Sequence, residues 1–537
     1  MYYLRRFTIF LAFLVSVSFL AWFLPRYLNP NPPDPAKQRE DKKWVSSSPY
    51  WLDRQACRWL SLCGVHHLSW DPASLFPYKN DSDAGDLRLE LRSLDGRHSG
   101  WETAPKKRSP RDDKEERRKV LKEIPDYVLK YAPLVHLYSG ENFWPADIAE
   151  HIRHMTPYLE KEALNRSLIL SDLHMLNKED GMVYLTSDDD VEQRPEWLHS
   201  HVGIPEPWND DEDDGDKEET PESPVGDSEH PRHHTEDTTW FDVSRDHPVH
   251  RISDPRRYPQ FPEGSARAAG FQHRRRDQGQ KPIPDTPTHK PDQEGYSKAP
   301  AVLVLVDKGS GIVDAFWFFF YSYNLGQMVL TIRFGNHVGD WEHCMMRFEN
   351  GVPRGIFFSE HEGGQAYTYN AVEKRGERPV IYSAVGSHAM YAQAGEHPYV
   401  LPFKMLKDVT DKGPLWDPSK NAYTYWYDYV QDLDEDLDDD LDDEVDVASG
   451  HRKENPTSLF PTAENPDAPT SWFHYAGPWG DKLYSLADMR QWRLFAQYHY
   501  VSGPLGPKFK RLDREKLCIT TRCRILDSLK PGQTWYS

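Results

Sequence analysis

Residues 301–391 form a series of short apolar and aromatic runs separated by glycines. The first two runs, 301–306 and 315–321, are divided by Gly309 and Gly311. Runs of this length that are rich in β-branched and aromatic residues and bounded by glycines are typical of β-strands. Because few helical patterns interrupt them, they predict a mainly β protein, namely an antiparallel β-sandwich with a few peripheral helices. Further strand-like runs are 329–334, 341–348, 355–359 and 380–385.

The amino-terminal segment predicts membrane attachment. Residues 7–24 are uncharged and apolar, and two arginines precede them. Eighteen helical residues reach about 27 Å, enough for a thin bilayer. The run ends in bulky residues, which favours an uncleaved signal-anchor over residues 1–28, with a cleaved signal peptide as the alternative. The chain is then a single-pass membrane glycoprotein of the secretory/vacuolar pathway with a lumenal body, and the sequons at Asn80 and Asn165 agree with that topology.

The five cysteines leave the disulfide pattern open. Cys57 and Cys63 lie close together near one end of the chain, and Cys518 and Cys523 near the other. Local bridges and a tie between the two ends are both compatible with this spacing. Cys344 lies in an apolar run and is expected to be a small buried hydrophobic residue.

Composition predicts a folded body interrupted by long solvated stretches. The 537 residues include 43 prolines, the net charge is −20 and the mean hydropathy is −0.78. This acidic balance weighs against a general nucleic-acid binder, because neutralising phosphates needs clustered cations, and no nucleic-acid partner is predicted. The predicted organisation after the anchor is a stalk and linker with a small Cys-containing aromatic patch (29–118), a first part of the sandwich (119–204), a disordered insertion (205–298), a second part (299–490) with an acidic insertion (432–446), and a C-terminal extension (491–537).

Two elements are predicted in the first part of the sandwich domain. Residues 131–138 are mostly apolar and are predicted to form a strand. Pro145 stands just inside a new periodic run, which predicts a helix that continues towards Leu164.

The densest polar segment is the run 335–343, Gly-Asn-His-Val-Gly-Asp-Trp-Glu-His. Side chains two apart on a strand project from one face, so Asp340 and Glu342 are expected on one face and Trp341 and His343 on the other. His337 precedes them across a glycine, in a turn that leads into the strand. One imidazole and two carboxylates at a strand entrance predict a site for a divalent cation, with calcium, magnesium or manganese favoured over zinc.

Two later segments repeat this chemistry. Glu360 and His361 follow one predicted strand, and His388 follows another. Strand ends can meet at one pole of a sandwich, which would bring His361 to the cation as a further ligand. The alternative is purely structural, with carboxylates bound to turn amides and histidines buried in the core. The predicted ligand-binding residues are Trp341, His343, Glu360 and His388.

No catalytic residue is predicted. Ser359 and Ser387 lack the elbow pattern of a nucleophilic serine. The glycine pair around Ser310 is not followed by the lysine of a phosphate-binding loop.

Six segments, taken in order, resemble the vacuolar protein sorting-associated protein 62 family of fungi. The resemblance covers about half of the chain, over 119–200 and 300–490. The family is associated with traffic of proteins to the fungal vacuole, so the resemblance implies a role in vacuolar protein sorting without assigning a biochemical activity. The matching segments are 131–148, 318–324, 335–348, 355–367, 380–397 and 477–481.

A more distant resemblance is to the necrosis-inducing Nep1-like proteins, which are β-sandwich toxins that bind a divalent cation and sphingolipid sugars. Their signature contains a histidine, two spacer residues and Asp-Trp-Glu, as residues 337–342 do here. The resemblance implies that His337, Asp340 and Glu342 are cation ligands, and that Asn324 or Asp314 replaces a further upstream aspartate. A glycine replaces the second histidine of the signature, so toxin activity is not implied.

Two functions are compatible with these observations. The first is a non-enzymatic, membrane-anchored protein that binds a lipid headgroup, a glycan or a cargo protein through a cation-dependent site. The second is a metal-dependent hydrolase in the same compartment, in which Glu342 or His361 activates metal-bound water. The first is favoured, because no nucleophile is identified and because the family is associated with trafficking.

Overall fold

The computed structural model describes residues 35–69, 122–199 and 289–529, with gaps at 330–331, 362, 399–406, 432–457, 495 and 521–522, and a few residues between 11 and 19. Most of the predicted anchor, nearly all of the predicted insertion 205–298 and the acidic run 432–446 lie outside the described residues. Among the helices that are described, none combines the length and the apolar character needed to cross a bilayer.

The described chain is mainly β with few, short helices, as predicted. The α-helices are α1 (Pro35–Ser46), α2 (Trp51–Leu60), α3 (Asp126–Lys130) and α4 (Ile148–His151). The strands are β1 (Leu62–Cys63), β2 (Leu134–His136), β3 (Met155–Leu159), β4 (Glu162–Ala163), β5 (Val183–Ser187), β6 (Ala301–Gly309), β7 (Ile312–Asn324), β8 (Gln327–Val329), β9 (Ile332–Phe334), β10 (His337–Glu349), β11 (Val352–Glu360), β12 (Gly363–Thr368), β13 (Lys374–Arg375), β14 (Arg378–Ser383), β15 (Met390–Tyr391), β16 (Gly395–Pro398), β17 (Lys407–Thr410), β18 (Leu415–Trp416), β19 (Ala422–Tyr427), β20 (Leu459–Pro461), β21 (Arg493–Leu494), β22 (Gln497–Tyr498) and β23 (Ile525–Leu526).

An eight-stranded sheet in the order β20-β19-β6-β7-β10-β11-β12-β23 is the centre of the body. Its longest pairing joins β7 and β10 antiparallel, with Trp341 opposite Phe320 and Asp340 opposite Tyr321. Both faces of β7 are buried, which is why its sequence is an almost unbroken aromatic run rather than an alternation of apolar and polar residues.

Each face of this sheet has its own hydrophobic core. Core 1, which includes Phe318, Trp341 and Met345, is covered by chain segments within 143–198 and 472–518. Core 2, which includes Trp317 and Cys344, lies between the large sheet and a second sheet formed by β13, β14, β2, β18 and β15. The alternation of side chains along β10 therefore separates its residues into two layers, as the sequence predicts.

The strand pairing and one helix differ from the prediction. β2 with β14, β6 with β19, and β12 with β23 pair in parallel, because each pair joins segments that no hairpin connects. The helix predicted from Pro145 towards Leu164 ends at His151, and β3 follows and pairs with β5. Pro157 explains this difference, because proline removes a hydrogen bond and clashes with the preceding turn inside a helix.

Segments at the predicted boundaries are integral to the body. Residues 289–298 contain the buried Ser297, whose carbonyl accepts a hydrogen bond from Asn421. Beyond residue 491, β21 pairs with β1 and β22, and β23 pairs with β12. Both disulfides are local, Cys57–Cys63 and Cys518–Cys523, and Cys344 is free and buried in core 2 as predicted.

A fully buried ion pair lies towards the end of β7 and β10 remote from His337. Arg347 donates from Nε and Nη2 to the two carboxylate oxygens of Asp314, at 2.7 Å each. Lys308, also buried, donates from Nζ to the carbonyl of Leu512 at 2.6 Å, and Arg347 donates to the carbonyl of Glu515. These cations therefore attach the C-terminal segment to the large sheet.

We expect Asp314→Ala to lower the free energy of unfolding by about 3–5 kcal/mol, because it leaves the Arg347 charge buried without its carboxylate partner. The matched control is Glu377→Ala, which removes the half-exposed ion pair with Lys130 and should cost less than about 1 kcal/mol. Urea unfolding of the purified chain, followed by tryptophan fluorescence, measures both. Equal effects of the two substitutions would contradict the role assigned to Asp314.

Candidate functional site

A glycine turn leads into β10. Gly339 has φ +70°, and a Cβ at this position would lie 2.2 Å from the carbonyl oxygen of Trp479. The segment around Gly480 packs as closely, since a Cβ there would lie 1.9 Å from the carbonyl oxygen of Val338. Only glycine permits this backbone conformation and this contact, so the turn fixes the chain immediately before the two carboxylates.

Asp340 and Glu342 share the face of β10 that points towards the second sheet, and each is only 5% exposed. His337 is half-buried at the start of the strand. Its Nδ1 lies 2.6 Å from the carbonyl oxygen of Gly339, so Nδ1 carries the proton and Nε2 keeps the lone pair of the neutral ring. Burial lowers the pKa of His337, and the neutral form agrees with that direction.

His388 is the buried partner of Asp340. Its Nδ1 donates to Asp340 Oδ2 at 2.9 Å, and its Nε2 lies 3.2 Å from the carbonyl oxygen of Phe143 and 3.8 Å from Glu141 Oε2. The ring stacks on Tyr321 with centroids 3.7 Å apart. Because both ring nitrogens face acceptors, the ring is an imidazolium. Burial alone would lower the pKa of His388, but the contacts with Asp340 and Glu141 raise it to about 9.

Glu141 is held by the turns on either side of His388. Its Oε1 accepts hydrogen bonds from the backbone N–H groups of Asn142 and Phe143, both at 2.9 Å. Its Oε2 accepts from the N–H of Gly386 at 2.9 Å. This carboxylate therefore connects the segment after β2 to the turn that presents His388.

Glu342 is paired with Ser359 of the neighbouring strand β11. The hydroxyl of Ser359 donates to Glu342 Oε2 and accepts from the N–H of His343 at 2.8 Å. Burial raises the pKa of Glu342 to about 8, and the charge of Asp340 acts in the same direction. Near neutral pH this carboxyl group is therefore close to its titration point.

A second acid–imidazole pair lies beside the first. His361 Nε2 is 2.8 Å from Asp408 Oδ2, and Asp408 also accepts from the hydroxyls of Ser387 and Tyr391 at 2.8 and 2.7 Å. Burial would lower the pKa of His361, but the charge and hydrogen bond of Asp408 raise it to about 9. Since Ser387 and His388 are consecutive, one turn joins both pairs into a single cluster, called here the acid-rich site. The acid-rich site comprises Glu141, Asp340, Glu342, Glu360, Asp408, His361 and His388.

Glu360 is the least compensated member of the acid-rich site. It is 2% exposed, and within the described part of the chain its Oε2 has no hydrogen-bond partner. Burial raises the pKa of Glu360 well above its usual range. The cluster thus holds five buried carboxyl groups against two protonated imidazoles.

Trp341 and His343 lie in core 1, on the opposite side of the sheet from Asp340 and Glu342. Trp341 is surrounded by aromatic rings such as Trp472 and Trp479, and His343 stacks on Phe318 at 5.1 Å. Both side chains are at most 1% exposed, and burial lowers the pKa of His343 well below its usual range. In the described structure these two residues support the strand from behind and do not line the acid-rich site.

The two residues suggested as replacements for the upstream aspartate occupy different places. Asn324 is opposite His337 in the β7–β10 register, and its side-chain amide donates to the carbonyl of Gly335 at 2.8 Å. Asp314 lies at the other end of β7 in its ion pair with Arg347. Of the two, only Asn324 is close to the strand entrance.

Two members of the acid-rich site, Glu141 and Asp408, were not predicted from the sequence. Glu141 lies in a turn nearly two hundred residues before β10, and Asp408 follows the mostly apolar stretch 399–406. Glu141 lies in one of the segments that carry the family resemblance, but no local pattern marks either residue as part of a site, so only their position near β10 in space identifies them. Ser387 gave a weak signal, because it immediately precedes the candidate His388.

No group of three or more histidine, cysteine, aspartate or glutamate side chains in the described ranges is arranged as a metal-ligand set. Asp340 is occupied by the His388 imidazolium, and Glu342 by the Ser359 hydroxyl. In the described structure, Asp340 and Glu342 are therefore both engaged in hydrogen bonds within the protein.

Comparison with known proteins gives relatives over most of the chain. A family model described as vacuolar protein sorting-associated protein 62 matches residues 308–400. The putative vacuolar protein sorting-associated protein TDA6 of Saccharomyces cerevisiae is 32% identical over 436 residues, and vacuolar protein sorting-associated protein 62 of the same yeast is 30% identical over 427 residues. Each alignment covers 74% of this chain and 68% of the relative.

Similarity to solved structures is slight. Necrosis and ethylene inducing protein 2 from the agent of cocoa's witches' broom disease is 17% identical over 18% of this chain and 46% of its own, with a TM-score of 0.14. The protein NLPPya in complex with mannosamine is 15% identical over 19% of this chain and 51% of its own, with a TM-score of 0.14. In both cases the likeness is confined to less than a fifth of this chain.

We expect His388→Phe to destabilise the protein most strongly below pH 6.5, because the variant keeps the stack on Tyr321 but leaves Asp340 without its imidazolium donor. The pKa of His388 rises from 6.5 in the unfolded chain to about 9 in the folded one, so its contribution is complete below pH 6.5 and is lost as the pH rises towards 9. The stability gap between wild type and variant should accordingly shrink by about 3 kcal/mol over that interval. Denaturant titrations at several pH values measure it.

His343→Phe is the matched control for this experiment. His343 is buried and neutral, so its removal should leave a stability gap that is constant between pH 6.5 and 9. A gap for His388→Phe that stayed constant or widened over this interval would contradict the assignment of His388 as an imidazolium.

Proposed function

The chain belongs to the vacuolar protein sorting-associated protein 62 family, and we propose from this premise that it acts in protein sorting to the vacuole as a membrane-anchored binding protein with a lumenal body. The acid-rich site is its binding site, which takes a divalent cation and, through it, a lipid headgroup, a glycan or a cargo protein. The observation that carries the proposal is the excess of buried carboxyl groups over cations at that site.

Charge balance supports a cation at this position. Burying an ionised carboxylate without compensation is costly, so the excess acid must bind either protons or a cation. Burial raises the pKa of Glu342 and of Glu360, which favours the first outcome. A divalent cation bound to these carboxyl groups would be the second outcome, since calcium and magnesium bind in protein sites that are rich in oxygen ligands.

The residues that would hold the cation are Asp340, Glu342 and His337. His361, just after β11, would join them as a neutral imidazole after losing the proton that now stabilises its contact with Asp408. His337 already directs its proton to the carbonyl of Gly339, which leaves Nε2 as the nitrogen able to coordinate. Binding must compete with the hydrogen bonds that Asp340 and Glu342 now make to His388 and Ser359. A cation therefore binds at the proposed site only if its coordination by Asp340 and Glu342 is more favourable than these hydrogen bonds.

The serine contacts favour binding over nucleophilic catalysis. Ser359 donates its proton to Glu342, and Ser387 donates to Asp408. A nucleophilic serine needs a base that accepts its proton in a productive arrangement, usually an imidazole. Here the neighbouring imidazoles of His361 and His388 are themselves engaged as donors to carboxylates.

We expect the full chain, purified in detergent without chelator, to retain or bind about one divalent cation, and Asp340→Asn and Glu342→Gln to weaken binding at least tenfold, as the loss of a ligand does. Elemental analysis and calcium or manganese titration calorimetry measure this. The exposed Glu377→Gln is the control and should bind as the wild type does. Wild-type protein that binds no divalent cation at millimolar concentration would refute the cation site.

The same variants test the cellular role. In cells that lack this chain, wild type and Glu377→Gln should restore vacuolar retention of a soluble hydrolase, whereas Asp340→Asn should leave the hydrolase secreted. If Asp340→Asn restores vacuolar retention as well as the wild type does, sorting does not depend on the acid-rich site. The alternative is that the wild type hydrolyses an ester, a phosphodiester or a glycoside. If it does, and if Asp340→Asn abolishes that turnover, the protein is a metal-dependent hydrolase and the binding proposal is wrong.

Topology is tested at Asn165, which is exposed next to β4. If residues 7–24 anchor the chain with its body in the lumen, Asn165 is glycosylated. An endoglycosidase should then increase the gel mobility of the wild type, and Asn165→Gln should reduce that shift, with any remainder coming from Asn80. A body that is reachable by protease from the cytosol in intact cells, and that carries no glycan, would reverse the proposed topology.

A further inference from the structure

Helix α2 is amphipathic, but its apolar side faces outward. Trp51, Leu52, Trp59 and Leu60 are 62%, 73%, 55% and 40% exposed, while the residues that face the body are Asp53 and Cys57. At 100° per residue the four apolar side chains occupy one half of the helix. A surface helix of a soluble protein has the opposite arrangement, with its apolar stripe turned to the core.

This orientation is fixed by specific contacts. Cys57 is bridged to Cys63, and Asp53 Oδ1 accepts a hydrogen bond from the N–H of Gly64 at 2.7 Å. Arg493 in β21 donates from Nη2 to Cys57 Sγ at 3.4 Å and pairs with Asp41 of α1. Since the polar side of α2 is bonded to the body, the helix cannot turn its tryptophans inward without breaking these contacts.

The apolar surface extends beyond the helix. Tyr50 is 58% exposed at its start and packs against the ring of His66 at 4.7 Å, and Val65 is 47% exposed beside it. We call Tyr50, Trp51, Leu52, Trp59, Leu60 and Val65 the α2 face. Contiguous exposed groups of large apolar side chains mark interaction sites, whereas single ones need no explanation.

The charge around the α2 face differs from that of the rest of the chain. Residues 35–69 contain six lysines and arginines against three aspartates and glutamates, a net charge of +3 in a chain whose total is −20. A helix with tryptophan and leucine on one side and nearby basic residues is typical of a segment that lies in the headgroup region of a bilayer. Indole rings favour that region, and basic side chains reach the lipid phosphates.

The position of the α2 face along the chain agrees with a bilayer as its partner. Only ten residues, 25–34, separate the apolar run 7–24 from α1, and ten extended residues span at most about 35 Å. If residues 7–24 are inserted in the membrane, α1 must begin within that distance of the bilayer surface. The α2 face follows directly after α1.

We propose that the α2 face lies on the phospholipid surface next to the anchor and orients the body against the membrane. This inference rests on the anchor in the proposed function, and it adds a second, non-spanning membrane contact. It requires no further partner protein.

The test uses the full chain reconstituted in phosphatidylcholine/phosphatidylserine vesicles, with and without brominated acyl chains, which quench tryptophans at the bilayer interface. Brominated lipid should reduce the tryptophan emission of the wild type in part. In the double variant Trp51→Phe/Trp59→Phe, the decrease in emission caused by brominated lipid should be at most half of the wild-type decrease. Phenylalanine at these exposed positions leaves folding intact. The matched control is Trp426→Phe, a half-buried tryptophan on β19, which should show the full wild-type decrease.

Different results would contradict the proposed membrane contact of the α2 face and the proposed anchor. If Trp51→Phe/Trp59→Phe retains the full quenched emission of the wild type, the α2 face is away from the bilayer and the inference is overturned. Extraction of the wild type from the vesicles at alkaline pH tests the anchor alone, because an inserted helix resists it and an interfacial face does not. Loss of quenching in the double variant supports the α2 face in either case.

Discussion

The antiparallel pairing of β7 with β10 is the constraint on which the rest of the structure depends. Side chains alternate along each strand, so the register that places Phe320 beside Trp341 in core 1 also places Tyr321 beside Asp340 on the other face. Tyr321 then provides the surface on which His388 stacks while it donates to Asp340. A slip by one residue would turn the carboxylates of β10 into the aromatic core. The hydrophobic pattern and the acid-rich site are therefore two consequences of one register.

Charge balance in a buried environment is the second constraint. At one end of β10 Asp340 is matched by an imidazolium, and at the other Arg347 is matched by Asp314 with good bidentate geometry. Glu342 and Glu360 are buried without such a close cationic partner in the described structure, and burial raises the pKa of both carboxyl groups. In the proposed function a cation competes with protons at this site, because either can occupy the same carboxyl oxygens.

Residues 35–69 are attached to the rest of the body through defined contacts. Trp44 donates to the carbonyl of Tyr484 at 2.8 Å, and Arg493 reaches both α1 and α2. The proposed bilayer contact of the α2 face is thus attached to the C-terminal part of the body, which also carries the segments covering core 1.

The sequence by itself determined the mainly β class, the principal strands between 301 and 385, the alternation of faces along β10 and the family, because each rests on local periodicity or on motifs in order. It misjudged the segment after Pro145, where the helix ends at His151 and a strand containing Pro157 follows, and it could not reveal the parallel pairs or the place of residues beyond 491 in the sheets. Glu141 and Asp408 were decided only by tertiary structure, as was the outward apolar side of α2. The physical reason is that contacts between segments separated along the chain leave no periodic signal, and that burial depends on what packs against a residue as well as on the residue itself.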